Sequence, residues 1–211
     1  YEYIHIGGDE CPTVAWENSA SCRDKIKELG LRNARQLQSW FTKEVADYAR
    51  EKHGRKIMGW NELITEGDVD INRIKQIDPV IFCWIGGEKE AESNGIRHVY
   101  TPINGGYYIN RSYQGIDSIG AGRDGAIAKT LQINPPADHK NCIGVQGTFW
   151  TEFVERPADL EYLALPRLIG IAEQGWSSER EKNLDDFLSR LRDERLYLDL
   201  AGYNYGRHQI E

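Results

Sequence analysis

Two adjacent carboxylates, Asp9 and Glu10, follow a glycine pair in the run His5-Ile6-Gly7-Gly8-Asp9-Glu10, and no other pair in the chain is better placed to do chemistry. Neighbouring side chains on a regular strand point to opposite faces, so these two share a pocket only where the strand has broken. Gly7 and Gly8 permit the break, because glycine accepts positive φ and lets a ligand come close to the backbone. Paired acids at the C-terminal end of a strand are where a barrel enzyme keeps its catalytic groups. The same spacing is equally compatible with an acidic turn facing solvent.

The elements that would carry such a pair can be read in order. Tyr3 and Ile4 predict a strand, and 12–30 reads as an irregular excursion around Trp16. Leu37, Trp40, Phe41, Val45 and Tyr48 recur on one face of a helix over 33–52, with Asn33 as its cap and Gly54 as its stop. A strand over 56–60 ends in Asn61-Glu62, a weaker helix spans 69–76, and a third strand over 80–84 ends in Trp84. A helix over 88–94 stops at Gly95 and leads to a fourth strand over 97–101. The stretch 102–141 is rich in Gly and Pro and weakly patterned apart from Tyr107-Tyr108-Ile109-Asn110. Loops of that length are functional or disordered, and the aromatics favour function. A fifth strand over 143–147 runs into Thr148-Phe149-Trp150-Thr151-Glu152. Helices follow over 158–174, kinked at Pro166, and over 184–200, with Leu184, Phe187, Leu188 and Leu191 on the apolar face.

Strands alternating with helices predict an α/β fold with a parallel sheet. Strands that end in Trp, Tyr or a carboxylate, with no GxGxxG or GxxxxGK[ST] turn, favour a (β/α) barrel over a doubly wound sheet. Five strands can be counted where a closed barrel needs eight, and the chain starts directly in a strand, so its true N-terminus is expected to be missing.

With 211 residues, 40% hydrophobic and 28% charged, the chain suits one soluble globular domain. A formal charge of −7 argues against nucleic acid or an anionic membrane as the main partner, and no apolar run approaches the ~20 residues of a span. Cys11, Cys22, Cys83 and Cys142 form no CxxC pair and read as buried free thiols, with a Cys11–Cys22 bridge as the alternative in an oxidising compartment. His5, Asp9, Glu10 and His98 match no usual ligand spacing and no HExxH is present, so neither metal nor cofactor is expected. A Cys11/His5 thiol hydrolase lacks an orienting third residue.

HIGGDE, Gly59-Trp60-Asn61-Glu62, the strand-end Trp84, the Tyr108–Asn110 segment and GVQGTFWTE over 144–152 together resemble family 20 glycoside hydrolases, the exo-β-N-acetylhexosaminidases. Pro166-Arg167 and Ala172-Glu173-Gln174-Gly175-Trp176-Ser177 are similar to that family's closing helix. The resemblance implies one catalytic domain over 1–211, truncated at its N-terminus: a partial (β/α)8 TIM barrel supplying strands four to eight with their helices. It also implies hydrolysis of terminal non-reducing N-acetyl-β-hexosamine residues by a retaining, substrate-assisted oxazolinium route, in which the protein contributes no carboxylate nucleophile.

On that resemblance Glu10 is the general acid, a role requiring a carboxyl kept protonated by burial or by a negative neighbour such as Asp9. Asp9 holds the substrate's acetamido N–H, and Tyr108 meets the carbonyl oxygen. Trp60, Trp84 and Trp150 wall the acetamido pocket, and Glu152 binds hydroxyls on the far side of the sugar. His5 is expected to be structural, and Tyr107 to face away from Tyr108. Asn110 stands where the family usually has an aspartate; with Arg111 beside it, a 6-sulfated N-acetylglucosamine is one expectation and a neutral hydroxyl contact the other. A barrel that binds amino sugars without cleaving them is a further alternative, which the intact acid pair disfavours. The implied partners are a glycan or glycoconjugate and the missing N-terminal half of the barrel. The implied setting is secreted, periplasmic or lysosome-like.

Overall fold

The computed structural model describes residues 1–103, 107–109, 126–152 and 154–210. They divide into two compact units, Tyr1–Tyr100 with Ala137–Ile143, and Thr101–Pro136 with Gly144–Glu211. The described strands are β1 (Tyr3–His5), β2 (Lys56–Trp60), β3 (Val80–Cys83), β4 (Arg97–Tyr100), β5 (Tyr108–Ile109), β6 (Cys142–Val145) and β7 (Thr148–Phe149).

The first unit is built on a sheet of order β1-β2-β3-β4-β6, in which β1 to β4 pair parallel with their neighbours. Every residue of β3 is buried, as expected for a parallel strand covered on both faces. Alternate residues feed different clusters. Val80 and Phe82 pack with Val99, Met58 and Trp60, whereas Ile81 and Cys83 pack with Leu63, Ile74, Ala91 and Ile96. The register sets Ile81 opposite His98 and Phe82 opposite Val99, so His98 falls on the second of these faces.

The helix Ala34–His53 has the expected ends: the Asn33 side chain accepts from the Gln36 amide, and Gly54 closes it in the left-handed region. Its buried face matches the expected one only at Leu37. Phe41 and Tyr48 are 58% and 60% exposed, Trp40 and Val45 are partly exposed, and the packed residues include Gln38, Thr42, Ala46 and Ala49. Ala46 and Ala49 lie against Ile57 and Ile77, because small side chains let the helix axis approach the sheet. The excursion over 12–30 also differs from expectation. It holds the helices Val14–Asn18 and Ala20–Glu28, the second capped by Ser19. Neither buries a residue, so neither carried an apolar stripe to read.

All four cysteines are free, so the Cys11–Cys22 bridge is not formed. Only Cys83 is buried, which corrects the expectation for the other three.

In the second unit β5 pairs parallel with β7, Tyr108 opposite Thr148 and Ile109 opposite Phe149. The weakly patterned stretch contains a helix that was not expected, Ala126–Gln132, whose Thr130 carbonyl accepts from the Gln174 side chain. The expected kinked helix is two helices, Pro157–Ala164 and Arg167–Trp176. Pro166 lacks an N–H and disfavours helical backbone at the residue before it. The helix Leu184–Ala201 buries Phe187, Leu188, Leu191 and Leu198 beside Ile127 and Tyr205. Among the described residues no helix is long and apolar enough to cross a membrane.

Candidate active site

The opening strand stays in register just long enough to place its acids. Ile6 donates to the Met58 carbonyl at 2.9 Å, and Trp60 donates to the Gly7 carbonyl at 3.0 Å. The backbone then turns through positive φ at Gly7 (73°), Gly8 (98°) and Glu10 (43°). For Glu10 that conformation costs on the order of 1 kcal/mol, held here by the surrounding turn. Gly8 must be glycine for a second reason: a Cβ there would lie 2.5 Å from Leu63 Cδ2. A Cβ on Gly59 would meet Leu63 Cδ1 at 2.4 Å and the Gly7 carbonyl at 2.9 Å. Leu63 therefore sits against the two glycines that bring the ends of β1 and β2 together. Gln38 fixes the break from the helix side, donating to the Gly8 carbonyl at 3.0 Å.

Asp9 is partly buried and Glu10 exposed. Asp9 also edges a hollow of about 330 Å³ with Ile6, Cys11, Trp16, Phe41 and Val45. His5 Nδ1 accepts from the Gly7 amide at 3.2 Å, and its ring stands edge-on to Trp60 at 4.9 Å and to Phe82 at 5.0 Å. Burial lowers its pKa, against the pull of Asp9, and its Nδ1 acceptor shapes the turn. This is the structural role expected of it.

Trp60 and Trp84 come together at the ends of β2 and β3, their rings 6.5 Å apart and inclined by 65°. The residues between them in function were missed as site residues. Asn61, 1% exposed, accepts from the Trp84 amide at 3.1 Å and gives its own amide to the Phe82 carbonyl at 3.0 Å. Glu62, 2% exposed, receives the Trp84 indole N–H on both carboxylate oxygens, at 3.0 and 3.1 Å. Burial pushes the Glu62 carboxyl above its ordinary value. Asp9 adds to that shift, while the Trp84 indole and the backbone amide of Glu10 oppose it. The run Gly59-Trp60-Asn61-Glu62 was itself a signal, but a carboxylate following a tryptophan at the end of an apolar strand is usually exposed to solvent.

In the second unit Tyr108 and Trp150 are brought together, ring centroids 6.1 Å apart and tilted by 34°. Backbone pairing holds them: Thr148 donates to the Tyr107 carbonyl at 2.8 Å, and Trp150 to the Ile109 carbonyl at 2.9 Å. Tyr107 does face the other way, fully buried, its hydroxyl donating to the Ile133 carbonyl at 3.2 Å. Glu152 is exposed two residues beyond Trp150. Asn110 and Arg111, with the sulfate expectation they carry, lie outside the described residues. His98 does not join His5, Asp9 and Glu10; its neighbours are Glu92 and His139.

Residues 1–179 match the catalytic domain of glycosyl hydrolase family 20. A β-hexosaminidase of Porphyromonas gingivalis is 31% identical over 214 aligned positions, covering 96% of this chain and 26% of that protein. One from Akkermansia muciniphila is 26% identical over 99% of this chain and 42% of its own length. Among solved structures, the family 20 exo-β-N-acetylglucosaminidase of Vibrio harveyi in complex with N-acetylglucosamine superimposes with a TM-score of 0.76 at 28% identity, over 97% of this chain and 33% of that one. The β-N-acetylhexosaminidase of Bacteroides fragilis, at 24% identity and TM-score 0.76, shares the fold over 98% of this chain and 42% of its own. The chain thus spans between 26% and 42% of the length of these proteins. A match over most of the sequence, ending three residues past the Trp176 helix, makes this chain a member of glycosyl hydrolase family 20, lying in its catalytic domain.

Proposed function

We propose that this chain is the acid-bearing part of a β-N-acetylhexosaminidase that removes terminal non-reducing N-acetyl-β-hexosamine residues with retention. The observation that carries the reading is the glycine-permitted break after β1, which sets Asp9 beside the Trp60–Trp84–Glu62 cluster in a family 20 chain. Glu10 gives a proton to the glycosidic oxygen as the acetamido carbonyl oxygen attacks the anomeric carbon and the bond to the aglycone breaks. Asp9 accepts the acetamido N–H and balances the positive charge of the resulting oxazolinium ion. Water then attacks the anomeric carbon and displaces the acetamido oxygen, reopening the oxazolinium ring, and Glu10 takes the proton of the water. In the first unit Trp60 and Trp84 offer apolar faces that exclude water competing with the acetamido group, and in the second unit the Trp150 ring and the Tyr108 hydroxyl offer an apolar face and a donor of the kind a carbonyl oxygen needs. Glu152 binds hydroxyls on the far side of the sugar. Asn61 and Glu62 are positioning residues that act through Trp84.

The same reading makes the chain strands four to eight of a single (β/α)8 catalytic domain. The shares of the relatives' lengths and the five-stranded order of the first sheet support it. The test is hydrolysis of an aryl N-acetyl-β-glucosaminide by the 211-residue chain, alone and with the remaining barrel supplied. Turnover is expected only with the complete barrel, and Glu10→Gln should lower kcat by about 10²–10⁴-fold. An enzyme that cleaves the aryl glucoside lacking the acetamido group equally fast would overturn the substrate-assisted route. Full turnover by the chain alone would overturn the division of the barrel.

A further inference from the structure

We propose that Glu92, His98 and His139 form a binding site for a zinc-type divalent cation on the face of the sheet that carries Ile81 and Cys83. The three residues come from the helix Glu88–Asn94, from β4 and from the segment leading into β6, and their ligand atoms lie within 4.8 Å of one another. His98 is 0% exposed, and neither of its ring nitrogens meets a partner with hydrogen-bond geometry; Nδ1 of His139 is buried in the same state. Buried imidazole nitrogens left bare are rare, because each forfeits a bond to water that nothing replaces. An ion pair with Glu92 does not account for them. The His98 Nδ1 to Glu92 Oε1 distance is 3.8 Å, too long for a hydrogen bond.

A cation does account for them. Two neutral imidazoles and a carboxylate suit zinc or its neighbours in the transition series better than magnesium or calcium, which prefer all-oxygen shells. Bonds of about 2.0–2.1 Å in a tetrahedral shell set the ligand atoms roughly 3.3–3.4 Å apart, so the side chains must draw together, the His98–Glu92 pair by about half an ångström. The two rings already stand edge to face, 5.5 Å apart at 75°.

The surroundings orient the ligands in the way metal sites require. The Asn141 amide donates to Glu92 Oε1 at 2.7 Å and its side chain to Oε2 at 2.9 Å. The Asn141 carbonyl accepts from the His98 amide at 3.0 Å, so one residue ties the carboxylate to the strand. Glu92 keeps 18% of its side chain exposed, which gives an ion a way in and leaves water as the fourth ligand. The ion would pin a helix, a strand and the chain entering β6, a structural role that does not depend on the proposed hydrolysis.

The experiment is a calorimetric titration of the chelator-treated protein with Zn²⁺, repeated with Co²⁺ and read by visible absorption. We expect one equivalent that raises Tm, four-coordinate Co²⁺ bands, and loss of that equivalent in His139→Ala and in Glu92→Gln, each weakened by about 100-fold or more. Both variants alter partly exposed residues and are checked for folding by circular dichroism, which avoids cutting the buried His98. Absence of binding below millimolar Zn²⁺, or an equivalent kept in both folded variants, would overturn the site.

Discussion

Glu62 and Glu92 belong to the same unit and both accept hydrogen bonds through each carboxylate oxygen, yet their acidities move in opposite directions. Glu62 is almost fully buried, shares one indole N–H between its oxygens, and has Asp9 as its charged neighbour, so burial wins and its carboxyl rises. Burial also pushes Glu92 upward, but two separate donors on Asn141, with His98 and His139 beyond them, outweigh it and hold the carboxyl low. Burial raises both carboxyls, and the number of donors and the sign of the neighbours decide whether that rise is kept, as at Glu62, or reversed, as at Glu92. At the strand ends a reluctant anion holds Trp84 in place. On the other side of the sheet a willing anion faces two imidazoles.

The largest test of this contrast overfills the packing around Leu63, next to Glu62. Gly59→Ala drives a methyl into Leu63 and the Gly7 carbonyl, and should cost about 3 kcal/mol in urea unfolding. Adding Leu63→Ala should return part of that loss, because the side-chain clash goes while the contact with Gly7 stays. A Gly59→Ala protein as stable as its parent would mean that β1 and β2 do not converge as described.

A smaller effect is expected from Glu62→Ala, which strips the Trp84 indole of its acceptor and should cost about 2 kcal/mol. In the complete enzyme it should raise KM more than it lowers kcat, and Glu62→Gln, which keeps an acceptor, should restore most of the KM. If the two variants share one KM, Glu62 does not act through Trp84.

The smallest effect is on pH dependence. A carboxyl whose folded pKa is raised binds its proton more tightly in the folded state than in the unfolded one. Its contribution is complete below the ordinary carboxylate range and is lost as pH rises through the folded value. Glu62→Gln should therefore flatten the decline in unfolding free energy above about pH 4.5, measured by denaturant midpoints from pH 4 to 8. An unchanged slope would place the Glu62 carboxylate in an environment no less favourable than water.

Much of the scaffold was legible because its signals are local. Asn33 and Gly54 bound a helix, apolar runs mark β2, β3 and β4, and the pair Gly7-Gly8 marks the break that presents Asp9 and Glu10. The buried face of Ala34–His53 was not legible, since the largest apolar residues suggested one face while close packing selected the smaller Ala46 and Ala49. Asn61 and Glu62 looked like the polar end of a strand, and their bonds to Trp84 cross more than 20 residues of chain. His98 was weighed with His5, Asp9 and Glu10, although strand alternation sends it toward Glu92 and His139.

By itself the sequence determined the α/β class with its parallel strands, the glycine break after the first strand and the family, all of which rest on short-range geometry and residue type. Only the tertiary structure decided which polar groups were buried and what they met there. The charge state of Glu62, the anchoring of Trp84 and the gathering of Glu92, His98 and His139 depend on contacts between distant segments. Their desolvation is settled when the helices close over the sheet.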